Sequence, residues 1–508
     1  MKNILSLLIV FTSINFVSAT VLPSRIFSNN MVLQRNMPIP VWGTAAPKEE
    51  VTVKFLNQKK TTTADSNGKW SLELNPVPTK RQPSIMKISG SNTVEIRNIL
   101  VGEVWICAGQ SNMELGVGAV KELKALVPEA KKLPIRTLYI NKHIDLKPQT
   151  EVVGGWGTTP PGSAVAFGFS YFLQKELNLP VGVIVACWGS SSIEGWMPLE
   201  MTRQLPHFKD IMDKFYADQE QVAICKKIIS SFNKNKKFPK KYSNNEQENS
   251  ALEKKYRNIN IFARTRPNLL YNAMMHPLIP YSVKGLVWYQ GEANTKSISA
   301  MKQYKISLKV WLSKLRELWR NDELDALVVM LPGFGRVLKG NKDLNYPGSY
   351  TWATMRESQL AAMQLPHTYV ANTVDLGEAN NIHPKDKLQV CQRLALLAAA
   401  RVYEKPTVGN GPIFSSGRAD KEKFVITFTN ANGLKTLDGE PAKAFWLADR
   451  KEHWVPAKAE IKGNQVILTA EGMSKPIACR YAYSAKPEVN LVNSAGLPAY
   501  PFRTDSWE

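Results

Sequence analysis

Three short clusters of small and polar residues each follow an apolar, strand-like stretch of the chain. They are Gly109-Gln110-Ser111-Asn112-Met113, Trp188-Gly189-Ser190-Ser191-Ser192 and Tyr289-Gln290-Gly291-Glu292-Ala293-Asn294. A glycine lets the backbone turn sharply and lets a substrate approach closely. Ser111 is therefore a candidate nucleophile, and its own N–H is a candidate oxyanion donor. A strand-end turn with a capping serine is the structural alternative.

A serine nucleophile needs a general base, and the chain has six histidines. His367 precedes the last predicted strand of the central region, so it belongs at the opposite end of the sheet from Ser111. His383 follows that strand, just before a helix, and we expect it at the same edge as Ser111. A surface or helix-capping role is the alternative for His383. The remaining histidines lie in segments that look peripheral or structural: His143, His207, His276 and His453.

From about residue 99, apolar strand candidates alternate with helical patterns, which is typical of a parallel sheet. The predicted strands are 104–107, 181–187, 283–288, 326–331 and 368–374. The predicted helices are 163–177, 302–319, 354–363 and 387–403. Because the carboxyl ends of parallel strands meet at one edge, this arrangement brings the three clusters and His383 together.

The 508 residues exceed the length of one typical domain. Residues 1–19 have the basic start, apolar run and small-residue end of a secretory signal peptide, which predicts an exported protein in the periplasm or outside the cell. Residues 20–98 and 406–508 alternate like β-strands and predict two β domains that flank the central domain, residues 99–405. Within that domain, residues 203–260 form a Lys/Asn-rich insertion. No later stretch is long and apolar enough to predict a membrane span.

The formal net charge of +22 would suit a polyanionic partner. Much of the excess lies in the insertion, between residues 226 and 255, and no basic stripe interleaved with aromatic residues accompanies it, so we expect no nucleic-acid partner. The five cysteines form no CxxC pair, and Cys107 and Cys187 end apolar runs, which predicts buried thiols. No metal site and no cofactor are predicted, and the sequence does not determine an oligomeric state.

The three clusters, together with Ile382-His383-Pro384, resemble the blocks of the SGNH hydrolases. Within that group they resemble the sialate O-acetylesterase family of carbohydrate esterases. The segments 31–34, 490–498 and 501–505 are similar to this family as well, so the resemblance covers nearly the whole predicted mature chain. It implies an α/β fold with a flavodoxin-like core, in which helices cover both faces of a parallel sheet, and an ester hydrolase that needs no cofactor.

The resemblance also implies roles for individual residues. Ser111 would attack an acetyl carbonyl, and His383 would take its proton and pass it to the departing sugar hydroxyl. The N–H groups of Ser111 and Gly189 would hold the oxyanion, together with a side-chain amide from the third cluster, Asn294 or Gln290.

One position departs from the family pattern. Members of the wider SGNH group usually carry an aspartate two or three residues before the catalytic histidine, where this chain has Asn381 and Asn380. Glu292 at the end of the third strand could orient the His383 ring instead, or the enzyme could use a Ser-His dyad. We favour these two hypotheses over the third, in which a carboxylate reaches back within the same loop, Asp375 or Glu378.

The strand-end residues do not distinguish between sugars. A 9-O-acetylated sialic acid is the first predicted substrate, and acetylated xylan or another plant glycan is the alternative. A non-catalytic glycan-binding protein with a degenerate esterase domain is the alternative from a different functional class. Sialic acid carries a carboxylate, so an arginine near the site would favour it. For Arg356 the sequence leaves two alternatives, a helix-surface ion pair or a structural role near the active-site edge. For Trp188 and Trp196 the alternatives are stacking on a sugar and packing in the core.

Overall fold

The first part of the chain is an all-β region. The computed structural model describes residues 20–507, so the predicted signal peptide, residues 1–19, lies outside the described residues. In β4 the residues Val51, Val53 and Phe55 are buried while their neighbours are more exposed, as the period of two requires. The strands of this region are β1 (Leu22–Pro23), β2 (Val32–Gln34), β3 (Ile39–Thr44), β4 (Glu50–Phe55), β5 (Gln58–Thr63), β6 (Lys69–Leu74) and β7 (Lys80–Ser89).

One long strand, β8 (Thr93–Gly109), joins this region to the centre of the molecule. Its first part pairs with β7 and β2, and its second part pairs with two strands of the central sheet. The predicted boundary after residue 98 therefore falls inside a continuous strand. The composition changes there because the strand passes from a partly exposed sheet into fully buried surroundings, not because an element ends.

The central sheet is parallel except for one edge strand. Its order along the sheet is β10-β9-β11-β8-β12-β13-β14, and only β10 runs antiparallel to its neighbour. Counted without the added strands β9 and β10, the chain order is 2-1-3-4-5, which is the order of flavodoxin-like sheets. The strands after β8 are β9 (Ile135–Ile140), β10 (Gly154–Gly157), β11 (Val181–Cys187), β12 (Gly285–Tyr289), β13 (Asp325–Val329) and β14 (Thr368–Ala371).

Helices cover both faces of this sheet, which confirms the predicted α/β class. Trp105 of β8 packs edge-on against Phe169 of α3, whereas Trp288 of β12 packs against Trp311 of α9 on the opposite face. The helices are α1 (Ser111–Glu114), α2 (Lys121–Ala130), α3 (Ala164–Leu177), α4 (Leu199–Gln204), α5 (Pro206–Ala217), α6 (Gln219–Asn235), α7 (Glu246–Tyr256), α8 (Ile259–Arg264), α9 (Ile298–Trp319), α10 (Trp352–Leu360) and α11 (Leu388–Arg401).

The predicted insertion is helical, since α4 to α7 lie within residues 199–256 and α8 ends at Arg264. After α11 the chain returns to β structure, in sheets ordered β15-β16-β21-β20, β17-β23 and β19-β18-β22-β24. These strands are β15 (Ile413–Asp420), β16 (Lys423–Thr429), β17 (Lys435–Thr436), β18 (Phe445–Ala448), β19 (Trp454–Pro456), β20 (Lys458–Lys462), β21 (Gln465–Thr469), β22 (Ala478–Tyr481), β23 (Leu491–Val492) and β24 (Phe502–Arg503).

All five cysteines are buried and free of disulfide bonds, so the predicted buried thiols at Cys107 and Cys187 are confirmed. Between residues 20 and 507, no group of three or more His, Cys, Asp or Glu side chains is arranged to hold a metal ion. Over the same residues, no helix has the length and apolar character that crossing a membrane requires.

Candidate active site

Ser111 and His383 meet at the carboxyl edge of the central sheet. Ser111 lies two residues after the end of β8 and is the first residue of α1, and His383 lies in the loop between β14 and α11. The Nε2 atom of His383 lies 2.8 Å from the Oγ atom of Ser111. This distance suits proton transfer from a serine hydroxyl to an imidazole. Both residues are only partly buried, so the pair is accessible to a ligand.

The turn that presents Ser111 depends on the glycine before it. Gly109 has a φ of +142°, and a Cβ atom built on it would lie 2.1 Å from the carbonyl oxygen of Tyr289. Only glycine fits there, because the backbones of β8 and β12 approach so closely. Gln110 then accepts a hydrogen bond from the N–H of Ala293 at 3.1 Å, which ties the first polar cluster to the third.

The loop that carries His383 is held by amides. Asn381 accepts a hydrogen bond from the backbone N–H of His383 at 3.0 Å, and its own amide donates to Glu378 at 3.2 Å. Asp375 is paired with Arg393 through two contacts of 2.6 Å, so it does not reach the imidazole. Among the described residues, no carboxylate accepts a hydrogen bond from Nδ1 of His383.

Among the described residues, Glu292 makes no hydrogen bond to the His383 ring, so the structure does not show the predicted direct orientation of the imidazole. Its carboxylate accepts a hydrogen bond of 2.5 Å from the side-chain amide of Asn112. The same amide donates to the carbonyl of Ile382 at 3.0 Å. Asn112 thus connects Glu292 to the histidine loop through two hydrogen bonds. The cluster pattern contains Asn112, but sequence reasoning assigned it no role.

The groups under the histidine loop have displaced pKa values. Burial, and then the charge of Lys387, lower the pKa of His383 below its usual 6.5. Burial raises the pKa of Glu292 to about 6, and burial lowers the pKa of Lys387 to about 8. Lys387 is fully buried, and its ammonium donates to the carbonyl of Pro384. The imidazole is therefore neutral near pH 7, as a general base must be.

Gly189 lies against the nucleophile, but its N–H is engaged. A Cβ atom on Gly189 would lie 3.2 Å from the Cβ atom of Ser111, so the two residues are packed directly against each other. The Gly189 N–H donates to the carboxylate of Glu114 at 2.5 Å, and Lys142 pairs with the same carboxylate. Sequence reasoning missed Glu114 and Lys142, because their relation to Gly189 depends on three separate segments.

The two amides of the third cluster have different surroundings. Gln290 is fully buried, and its amide donates to Gln110, to Asn294 and to the carbonyl of Ser191. This network leaves Gln290 no donor for a ligand. Asn294 is only partly buried, and its amide donates once, to Glu194 at 3.1 Å, so one N–H is left over. Of the two predicted amides, Asn294 is the one that can serve the site.

The comparison with known families agrees with this geometry. The family model described as "Carbohydrate esterase, sialic acid-specific acetylesterase" matches residues 101–229 and 257–399, which is more than half of the chain. The chain belongs to this family. The matched segments contain Ser111, Gly189, Asn294 and His383. The unmatched stretch between them lies within the predicted insertion, so this part of the carbohydrate esterase departs from the family pattern.

Similar proteins are named as acetylesterases that act on sialate or on carbohydrate. The sialate O-acetylesterase of Mus musculus is 26% identical over 93% of this chain and 92% of its own length, and that of Homo sapiens is 26% identical over 94% and 91%. The crystal structure of a carbohydrate acetylesterase from Xanthomonas citri has 28% identity and a TM-score of 0.79, and the match covers 96% of this chain and all of that one. The protein is therefore a carboxylic ester hydrolase that acts on acetylated carbohydrate.

Other residues from the sequence analysis of this esterase have structural positions. Trp188 and Trp196 are fully buried, and their indole N–H groups donate to Asn260 and Ser191, so both pack in the core. Arg356 is also fully buried and donates to the carbonyls of Pro332 and Ser484. The surface ion pair considered for Arg356 is therefore wrong, and its alternative, a structural role, holds.

The other histidines of the esterase lie away from Ser111. His367 precedes β14 and lies 3.4 Å from Asp325, the first residue of β13, at the opposite end of the sheet as predicted. His143 is less peripheral than expected, because it is buried and stacks on Phe232 of α6 at 4.6 Å. His276 bonds to the carbonyl of Gln149, and His207 bonds to the hydroxyl of Ser307. His453 is exposed.

Proposed function

We propose that this protein is an exported sialate O-acetylesterase that uses Ser111 and His383 as a catalytic dyad. The observation that carries the proposal is the 2.8 Å contact between Ser111 Oγ and His383 Nε2 in a member of a sialic acid-specific acetylesterase family. Export is supported by the leader-like composition of residues 1–19. The sugar is supported by the names of the family and of the mammalian relatives.

The reaction then follows the serine esterase sequence. His383 removes the hydroxyl proton as Ser111 Oγ attacks the acetyl carbonyl, and the carbonyl oxygen becomes an oxyanion. His383 returns that proton to the sugar oxygen as the sugar leaves, and the acetyl group stays on Ser111. Water, deprotonated by His383, attacks the acetyl-enzyme, and collapse of the second oxyanion releases acetate and restores the serine.

The oxyanion hole combines the N–H groups of Ser111 and Gly189 with the amide of Asn294. Among the described residues, the Ser111 N–H has no hydrogen-bond partner, so it is ready to donate. Donation by Gly189 requires the Glu114 carboxylate to release its N–H. The other two donors need no such change, and donors that are already oriented stabilise the developing charge without reorganisation.

A dyad suits this histidine loop. The position of the imidazole is set by the Asn381 side chain on the His383 N–H and by the Asn112 side chain on the carbonyl before it. Both amides hold the peptide unit between Ile382 and His383, so they fix the backbone from which the imidazole projects, without a carboxylate at Nδ1.

The pH profile of this dyad has an expected direction. The acid limb of kcat/KM should have its midpoint below pH 6.5, because burial and the Lys387 charge both lower the pKa of His383. In Lys387→Met the positive charge is absent, so the pKa of His383 rises and the limb moves to higher pH. Lys385→Met, an exposed lysine of the same loop, is the control and should leave the limb in place. An unmoved limb in Lys387→Met would exclude this electrostatic effect.

Variants of Glu292 test whether it acts through Asn112. Glu292→Gln keeps an oxygen that accepts from the Asn112 amide, so we expect turnover within about tenfold of the wild type. Glu292→Ala leaves one N–H of that amide without its acceptor, at a cost of about 1–3 kcal/mol, and should lower turnover about 10- to 100-fold. Steady-state kinetics beside thermal unfolding measures both. A loss above about 100-fold in Glu292→Gln would show instead that the charge itself is required.

The substrate is tested by acetate release. Purified protein and Ser111→Ala are compared on 9-O-acetylated sialic acid and on acetylated xylan. We expect release from the sialic acid by the wild type alone. Release from xylan alone would keep the esterase activity and overturn the proposed sugar. Release from neither, with no labelling of Ser111 by a serine-directed phosphonate, would favour a glycan-binding protein with a degenerate site.

A further inference from the structure

Arg264 lies beside the proposed active site, at the end of α8. Its Nη2 atom donates to the Oγ atom of Ser190 at 3.4 Å. Ser190 directly follows Gly189, and Gly189 lies directly against Ser111. Only Gly189 and Ser190, in the loop after β11, therefore lie between the guanidinium and Ser111. The insertion that precedes α8 brings it there from a distant part of the chain.

This guanidinium has few partners for a partly buried cation. Among the described residues, no carboxylate lies within 4 Å of it, and its Nε atom is buried without a hydrogen-bond partner. Arg266, two residues later, uses all three nitrogens, on Phe262, Gln221 and Thr265. A guanidinium has five N–H donors, and burying a charge without pairing it is unfavourable. The donors of Arg264 are thus only partly used by the chain.

The groups around Arg264 do not use its remaining N–H donors. Glu114 has an electrostatic effect on Arg264, but its carboxylate is already shared by Lys142 and the Gly189 N–H. Ser190 has a φ of +57°, which is uncommon for a residue other than glycine. Backbone conformations of this kind are found at ligand sites, and at Ser190 the exposed hydroxyl points to the guanidinium.

We propose that Arg264 is the residue that binds the carboxylate of the sialic acid, through the N–H groups that the protein leaves unused. This inference rests on the proposed function, because it assigns the acidic group of that substrate to a residue. The planar fork of a guanidinium matches the two oxygens of a carboxylate, and a neutral sugar such as xylose has no group that uses it. Arg264 therefore makes the site select acidic acetylated sugars over neutral ones.

The test compares an acidic and a neutral form of one substrate. Wild type and Arg264→Gln are assayed on 9-O-acetyl-N-acetylneuraminic acid, on its C1 methylamide and on 4-nitrophenyl acetate. A charge-assisted hydrogen bond contributes about 1.5–3 kcal/mol, so Arg264→Gln should lose about 10- to 100-fold in kcat/KM on the acid, mainly through KM. Its rates on the methylamide and on 4-nitrophenyl acetate should stay close to wild type, which also shows that the variant folds.

Two further variants separate binding from general charge effects. Arg264→Lys keeps the charge without the planar fork, and its loss should be intermediate. Arg257→Gln removes an exposed positive charge from the same segment and should change nothing. If the wild type prefers the acid and Arg264→Gln keeps that preference, the assignment of Arg264 is overturned while the sialate function stands. If the wild type releases acetate from neither sialic acid form but from acetylated xylan, the proposed function itself fails, and the inference with it.

Discussion

Ser111→Ala lowers kcat/KM for acetyl ester hydrolysis by about 10⁴-fold or more, and His383→Ala causes a loss of similar size. The alanine at position 111 has no oxygen to attack the ester, and without the imidazole the Ser111 hydroxyl keeps its proton at neutral pH. The two residues act as a unit, so the double variant should be little worse than either single one. This prediction is checked by the activity of each variant on a soluble aryl acetate, measured at enzyme concentrations high enough to detect the activity that remains.

Two controls protect that result. Both side chains are partly exposed, so their removal should leave the thermal unfolding temperature nearly unchanged. A serine-directed phosphonate should label the wild type at Ser111 and label His383→Ala far more slowly. Wild-type kinetics in either alanine variant would refute the dyad.

Asn294→Ala lowers kcat by about 10²- to 10³-fold with little change in KM. Removal of one oxyanion donor from a preorganised site typically lowers kcat by about this factor. KM changes little because the hydrogen bond from the donor forms only when charge develops on the carbonyl oxygen. The amide of Asn294 has one N–H that the protein does not use, whereas the amide of Gln290 is consumed by three acceptors. Kinetics on one soluble acetate ester measures the effect.

Asn260→Ala is the matched control for that variant. Asn260 is also an asparagine near the second cluster, but its side chain accepts from the indole of Trp188 inside the core. Its replacement should lower the unfolding temperature and change kcat by less than about threefold. If Asn294→Ala behaves like Asn260→Ala, the oxyanion hole has only backbone donors.

The glycan-binding alternative depends on the missing aspartate. That absence carries less weight in this loop, because Asn381 and Asn112 both hold the peptide unit between Ile382 and His383. A degenerate site would have no reason to keep a 2.8 Å contact between a serine hydroxyl and an imidazole. Phosphonate labelling remains the measurement that separates the two hypotheses.

The sequence by itself determined the framework of the protein. The predicted strand 181–187 coincides with β11, and the four predicted helices of the core match α3, α9, α10 and α11 to within a few residues. Period and apolar runs are local properties, so they can be recognised without the fold. The alternation of these elements implies parallel strands, and parallel strands place His383 beside Ser111 and His367 at the far end.

The tertiary structure decided which side chains face one another. Glu292 follows the right strand, yet Asn112 comes between it and His383, and Gln290 and Asn294 differ only in which neighbours use their amides. The sequence contains many arginines, and only the contact between the end of α8 and the loop after β11 singles out Arg264. The predicted domain boundary after residue 98 falls inside the continuous strand β8, because β8 pairs both with β7 and with strands of the central sheet. Spacing along the chain determines the edge on which a residue lies, but hydrogen-bond partners are supplied by segments that are distant in sequence.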